Sequence, residues 1–139
     1  MDTTVQTTKP THAAESWPDE IVVTAWRDPV VEQMPGAMAT GGDEVLVWWV
    51  STLGPTATLA ARHLALYAAD GDSMWPIDEL ARTFGVGPSI MLRALDRLVR
   101  FGVIDRRRNI VALRLMLSPL TANQRERLPR YLADAYQPS

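Results

Sequence analysis

The chain has 139 residues, 47% of them hydrophobic, which is enough for one modest core and too little for two ordinary domains. It has no cysteine, which excludes a disulfide framework, a thiolate zinc site and a cysteine nucleophile together. The formal net charge of -2 hides a division: residues 1–79 carry three basic residues against twelve acidic ones, whereas residues 80–139 carry eleven arginines against four acids.

Residues 1–16 are threonine-rich, contain Pro10 and show no apolar period, so they predict a disordered tail. Neither the basic start nor the apolar run of a signal peptide is present, and no stretch is long enough to span a bilayer, so a cytoplasmic protein with no membrane partner is expected. Over 17–42, short apolar groups are broken by Pro18, Pro29, Pro35 and Gly41-Gly42, which predicts an acidic arm or linker. IVVTAW within it is a candidate edge strand for the domain that follows. Folded over the arginine-rich half, the acidic stretch 15–44 would compete with an anionic partner.

From Asp43 onward, Val45, Leu46, Trp49, Val50 and Leu53 recur at helical spacing until Gly54-Pro55, which predicts a short helix and a break. EVLVWWV is also rich in strand formers, so a strand is the alternative. Pro55 suits the first turn of a second helix, with Leu59, Ala60, His63, Leu64, Tyr67 and Ala68 as its apolar stripe. His63 has only His12 for company in the chain, so it reads as a packed helix residue before a metal ligand or general base.

Pro76 opens a short helix with Ile77, Leu80, Ala81 and Phe84 at helical spacing, closed by Gly85. Pro88 or Ser89 opens the next, in which Met91, Ala94, Leu95, Leu98 and Phe101 form one face until Gly102. Two helices joined by a tight glycine turn make a helix-turn-helix unit. VIDRRRNIVALRL then predicts a strand, a polar turn at Arg107 to Asn109, and a second strand with Ile110, Ala112, and Leu113 or Leu115 among its apolar members.

Leu80, Ala81, Phe84, Gly85, Val86, Leu95, Leu98, Gly102, Val103 and Ile104 fill the pattern of the winged helix-turn-helix families, which LARTFGVGPSIMLRALDRLVRFGVI resembles. The stretch from 44 to about 137 also resembles small helix-turn-helix proteins common in actinobacteria. The resemblance implies a mainly α fold with a small β-hairpin (α+β). The winged helix-turn-helix domain would span 43–117, with the helix-turn-helix at 76–102 and the wing at 103–116, followed by a helical extension at 118–139.

With Met91 facing the core and 100° per residue, Ser89, Arg93, Asp96 and Arg100 fall on the outward side. The resemblance implies that this face enters the major groove of double-stranded DNA. Ser89 and Arg93 would lie nearest the base edges, Arg97 and Arg100 along the phosphates, and Arg106, Arg107 and Arg108 of the wing on the backbone or a narrow minor groove. Arg82 and Arg114 are further candidates. Arginine can bond guanine in a bidentate way, but this helix has no Asn or Gln for adenine, so the readable code is sparse. Each charge also has an ordinary reading, as a solvated turn or as an intrahelical pair such as Arg93 with Asp96. Gly87 stands where relatives often have Ser, leaving Ser89 as the substitute hydroxyl.

In the last stretch, Thr121 is a plausible N-cap, and Pro129 opens a second short helix with Tyr131, Leu132, Ala135 and Tyr136 on one side. This extension would cover the domain or form a homodimer contact, and a two-fold dimer would read a palindromic site. The expected function is that of a DNA-binding transcriptional regulator without enzymatic activity. The alternative is a winged-helix protein-protein interaction module in a larger complex, docking through Leu92 and the tryptophan-rich segment. No His-carboxylate pair, phosphate-binding glycine loop or metal-ligand spacing is present, so no catalytic residue, cofactor or metal is expected. A small-ligand pocket in the tryptophan-containing first half is a further reading.

Overall fold

The computed structural model describes residues 16–136. The expected tail lies outside them except for Ser16, as do residues 137–139. Among the described residues the fold is mixed α and β, with eight helices and two small sheets.

Strand β1 (Glu20–Trp26) opens the fold and is followed by helix α1 (Pro29–Glu32) and strand β2 (Met38–Ala39). Helices α2 (Glu44–Trp48), α3 (Val50–Leu53) and α4 (Pro55–Ala68) come next, then strand β3 (Ser73–Pro76) and helices α5 (Ile77–Thr83) and α6 (Pro88–Arg100). Strands β4 (Ile104–Arg107), β5 (Ile110–Arg114) and β6 (Met116–Leu117) precede two short helices, α7 (Ala122–Glu126) and α8 (Arg130–Ala135). EVLVWWV is therefore helical up to Trp48, and the strand alternative is excluded.

The stretch expected as an arm or linker is part of the core. The main sheet runs β3-β1-β5-β4, with β1 antiparallel to β3 and parallel to β5, so IVVTAW is an interior strand and not an edge. Ile21 and Val23 are fully buried on one face, and Val22, Thr24 and Trp26 on the other are half-buried. The acidic stretch meets the arginine-rich half as a structural partner, with β1 paired to β5, Trp17 against Asp96 and Arg106, and Asp28 against Arg114. The second sheet pairs β2 with β6, and the buried Thr40 donates its hydroxyl to the Arg114 carbonyl at 2.6 Å.

The β structure thus exceeds the single hairpin expected from the sequence. In β5 the core side is Val111 and Leu113, both fully buried, whereas Ile110 is 48% exposed and Ala112 only half-buried. Of the apolar members expected in this strand, Leu113 is on the core side and Ile110 and Ala112 are on the other. Its central place between β1 and β4 selects the alternate residues, because facing direction changes at every position.

Helices α4 and α6 pack against each other beside this sheet. Met91, Leu95 and Leu98 of α6 are 0% exposed, and burying each side chain contributes about 1.5–3 kcal/mol before entropy is counted. Gly85 (φ 70°) and Gly102 (φ 74°) end α5 and α6 in the left-handed region, where a side chain would be strained. After each glycine, the next N–H reaches back to a helix carbonyl: Val86 to Ala81 at 3.1 Å and Val103 to Leu98 at 2.9 Å. These two stops set the turn between α5 and α6 and the entry to β4.

Thr121 caps α7 in a reciprocal box with Gln124. The final helix docks through Leu128, half-buried Leu132 and Tyr136, whose hydroxyl accepts the Leu120 N–H at 2.7 Å. Tyr131 and Ala135, expected on that same side, face solvent; the contact stripe runs 128, 132, 136 at four-residue spacing. No helix among the described residues is long and apolar enough to cross a membrane.

Candidate nucleic-acid interface

Helix α6 begins at Pro88, with Gly87 in extended conformation (φ -77°, ψ 164°) as its N-cap and no side-chain capping bond. Ser89 therefore does not substitute as a cap, and its side chain is exposed. Arg93 and Arg100 are exposed on the same face, and neither makes an ion pair among the described residues. Asp96, the fourth expected outward residue, is half-buried and accepts the indole Nε1–H of Trp17 at 2.8 Å. It does not pair with Arg93.

Arg97 is also differently placed from the phosphate-contacting role expected for it. Its Nε and Nη2 both donate to the Thr52 carbonyl, at 3.1 and 2.8 Å, so the guanidinium joins α6 to α3. Leu92 is half-buried against the core and offers no docking patch; the apolar residue that α6 exposes is Ile90, at 41%. Helical angle does not separate them, since both lie on the flanks of the buried stripe; Leu92 is covered by core packing, whereas Ile90 lies on the flank beside Arg93 and Arg97.

The β4–β5 hairpin follows α6 after the Gly102 turn. Its register, Arg107 opposite Ile110, leaves a two-residue loop of Arg108 and Asn109. Arg108 has φ 60°, a left-handed conformation that costs a non-glycine residue about 1–2 kcal/mol. Arg107 pairs with Asp105 at 3.4 Å, but its side chain is 82% exposed, and an exposed pair of this kind contributes only about 0.2–1 kcal/mol. A phosphate can take the place of that carboxylate at little cost.

Arg106 is held more firmly. Its Nε donates to the Arg108 carbonyl at 2.9 Å, its Nη2 donates to the Ser16 carbonyl, and its guanidinium lies 4.0 Å from the centre of the Trp17 ring. Trp17 thus bridges α6 and the hairpin, bonded to Asp96 on one and stacked on Arg106 of the other. Nothing in the local sequence around Trp17 signals this, because both partners lie far along the chain.

Arg114 belongs to the scaffold. Its Nε donates to the Gly102 carbonyl and its Nη1 to Asp28, both at 2.8 Å, and the guanidinium stacks 3.8 Å from the Trp26 ring centre. Asp28 also accepts the Val30 N–H as the cap of α1, and the Arg114 hydrogen bond holds its carboxyl below the ordinary Asp range. Arg82 is exposed in the last turn of α5. His63 packs among the rings of Tyr67, Phe84 and Trp75 at 5.2, 5.5 and 5.7 Å, which accounts for its place in the α4 stripe.

Ser89, Arg93 and Arg100 on one helix face, with Arg107 and Arg108 at the hairpin tip, are therefore turned to solvent, alongside Arg82, Asp105 and Asn109. No family model, curated protein or solved structure matches the chain.

Proposed function

We propose that α5, the turn at residues 84–87, α6 and the β4–β5 hairpin form a winged helix-turn-helix unit that binds duplex DNA, and that the protein acts as a transcriptional regulator. One observation carries this reading: Arg93 and Arg100 stand exposed on the same face of α6 as Ser89, without an acid partner among the described residues. The hairpin that follows adds two exposed arginines at its tip.

In this reading α6 enters the major groove. Arg93 donates in a bidentate way to guanine O6 and N7, and Ser89 bonds a neighbouring base edge or phosphate. Arg100, Arg107 and Arg108 neutralise phosphates, and three such contacts correspond to a salt slope of about 2.7 per protomer. With a single arginine near base edges and no amide side chain, specificity is modest and rests on a short guanine-containing half-site. A homodimer would double both the contacts and the site.

The test is a mobility shift on random-sequence duplex at low salt, followed by selection of bound duplexes from a random library. Arg93→Ala should erase the base preference of the selected pool, while Arg107→Ala with Arg108→Ala weakens binding to all sequences alike. No shift at low salt would overturn the reading. A protein-interaction module is the second reading, favoured by the exposed Ile90 on the same face, and it predicts no shift with any duplex.

A further inference from the structure

One flank of α6 faces the end of α3 and the start of α4, and a groove of about 750 Å³ lies between them. Pro55, Ile90 and Val99 line it with accessible apolar surface, and Arg93, Arg97 and Arg100 line it with charge. Its volume falls within the range of small-ligand sites, and its makeup, apolar walls with a few convergent polar groups, is the makeup of such sites. The two hydrogen bonds that Arg97 donates to the Thr52 carbonyl fasten α6 to α3, so the two walls are held at a set distance before anything binds.

The three guanidinium groups recur at four- and three-residue spacing along one side of the helix, where like charges repel. Asp96 is the only carboxylate among the lining residues, and it already accepts the Trp17 indole. With three guanidinium groups against one carboxylate, the groove is net positive beside a floor that water solvates poorly. An inorganic anion would satisfy the charge and leave the floor wet; a neutral apolar molecule would cover the floor and leave the charge.

The geometry points to this groove as a binding site for a small amphipathic anion, an organic carboxylate carrying an extended apolar body. The carboxylate accepts bidentate bonds from Arg93 or Arg100, and the apolar body lies over Pro55, Ile90 and Val99. Because Arg93 and Arg100 also carry the proposed DNA contacts, the bound anion and duplex exclude each other. This last clause rests on the DNA reading; the binding site itself does not. By linkage, whatever factor the anion takes from DNA affinity, DNA takes from the affinity for the anion.

Sodium decanoate below its micelle concentration is the probe, titrated calorimetrically into the full chain. Acetate supplies the charge without the tail, and decyltrimethylammonium supplies the tail with the opposite charge. The expected result is saturable binding of decanoate at one per chain, at least tenfold tighter than either control. Arg93→Ala with Arg100→Ala should weaken it at least tenfold, while Arg107→Ala with Arg108→Ala leaves it unchanged. Both pairs are exposed, and circular dichroism checks that each variant is folded.

Absence of saturable binding, equal binding of the cation, or insensitivity to the α6 pair would each overturn the site. A dimer in the ultracentrifuge that excludes decanoate would give the groove to a second copy and overturn it equally. Displacement of a labelled duplex by decanoate then tests the exclusion. If no form of the protein binds duplex, the DNA reading falls, and the calorimetry still decides the groove.

Discussion

Helix α6 and the β4–β5 hairpin are both rich in arginine, and each divides it between outward and engaged groups, with Arg97 of α6 bonded to the Thr52 carbonyl and Arg107 and Arg108 exposed at the hairpin tip. On α6, Arg93 and Arg100 reach solvent without an acid partner among the described residues. On the hairpin, Arg106 is stacked on Trp17 and bonded to Ser16, and Arg114 is locked among Asp28, Trp26 and the Gly102 carbonyl. The eleven arginines of the second half are therefore not eleven available charges. Groups from the first half, some acidic and some merely carbonyl or aromatic, hold Arg97, Arg106 and Arg114 in the scaffold; Arg93, Arg100, Arg107 and Arg108 face outward on α6 and the hairpin tip, and Arg82, Arg125, Arg127 and Arg130 are exposed on α5 and along the last two helices.

The strongest way to sharpen this contrast is to break the Arg114 node. Arg114→Ala removes two charge-assisted hydrogen bonds and a stacked ring, and should lower the unfolding free energy by about 2–3 kcal/mol in urea denaturation. A loss under about 0.5 kcal/mol, the size of an ordinary surface change, would place Arg114 with the solvent-facing arginines instead.

Trp17→Ala acts on the boundary between the two states. It releases the ring that holds Arg106, so duplex affinity should rise and the salt slope should steepen by about 0.9, one phosphate contact. An unchanged slope would mean that Arg106 stays withheld by its other partners. Arg108→Gly tests the hairpin tip with two readouts that move in opposite directions. Relief of the left-handed backbone should stabilise the fold by about 1 kcal/mol, while loss of the cation makes the salt slope shallower by about 0.9. Stabilisation with an unchanged slope would remove Arg108 from the contact set.

The smallest effect is in acid. The Asp28 carboxyl is held low chiefly by its hydrogen bond from Arg114, so its contribution is present above the unfolded Asp value, about 3.9, and is lost as pH falls through the lower folded value. Asp28→Asn should flatten the fall in melting temperature below pH about 4 while lowering the plateau at neutral pH. A melting profile parallel to the parent's would show that the ion pair does not set the acid dependence.

Much of the helical frame was legible in the sequence because its signals are local. Proline at 55 and 88, glycine at 85 and 102, and the Thr121 cap mark element ends that the structure reproduces within a residue or two. The inward face of α6 followed from helical period alone. The place of β1 did not, because its parallel partner β5 lies most of the chain away, and a strand's neighbours are set by tertiary contact and not by its own letters. The same limit applies to the arginines. Arg97 and Arg106 look outward by period or by turn position, yet the Thr52 carbonyl and the Trp17 ring, both distant in sequence, determine where their guanidinium groups go. Leu92, expected to be exposed, is instead half-buried for a related reason, since which flank of a helix is covered depends on what packs beside it.

The division between outward and engaged arginines is tested most directly by the salt dependence of duplex binding in three proteins: the parent, Arg93→Ala with Arg100→Ala, and Arg106→Ala. The account predicts that the α6 pair reduces the slope by about 1.8 and that Arg106→Ala leaves it within about 0.3 of the parent. Equal losses from Arg106 and from the α6 pair, or no loss from the pair, would contradict it.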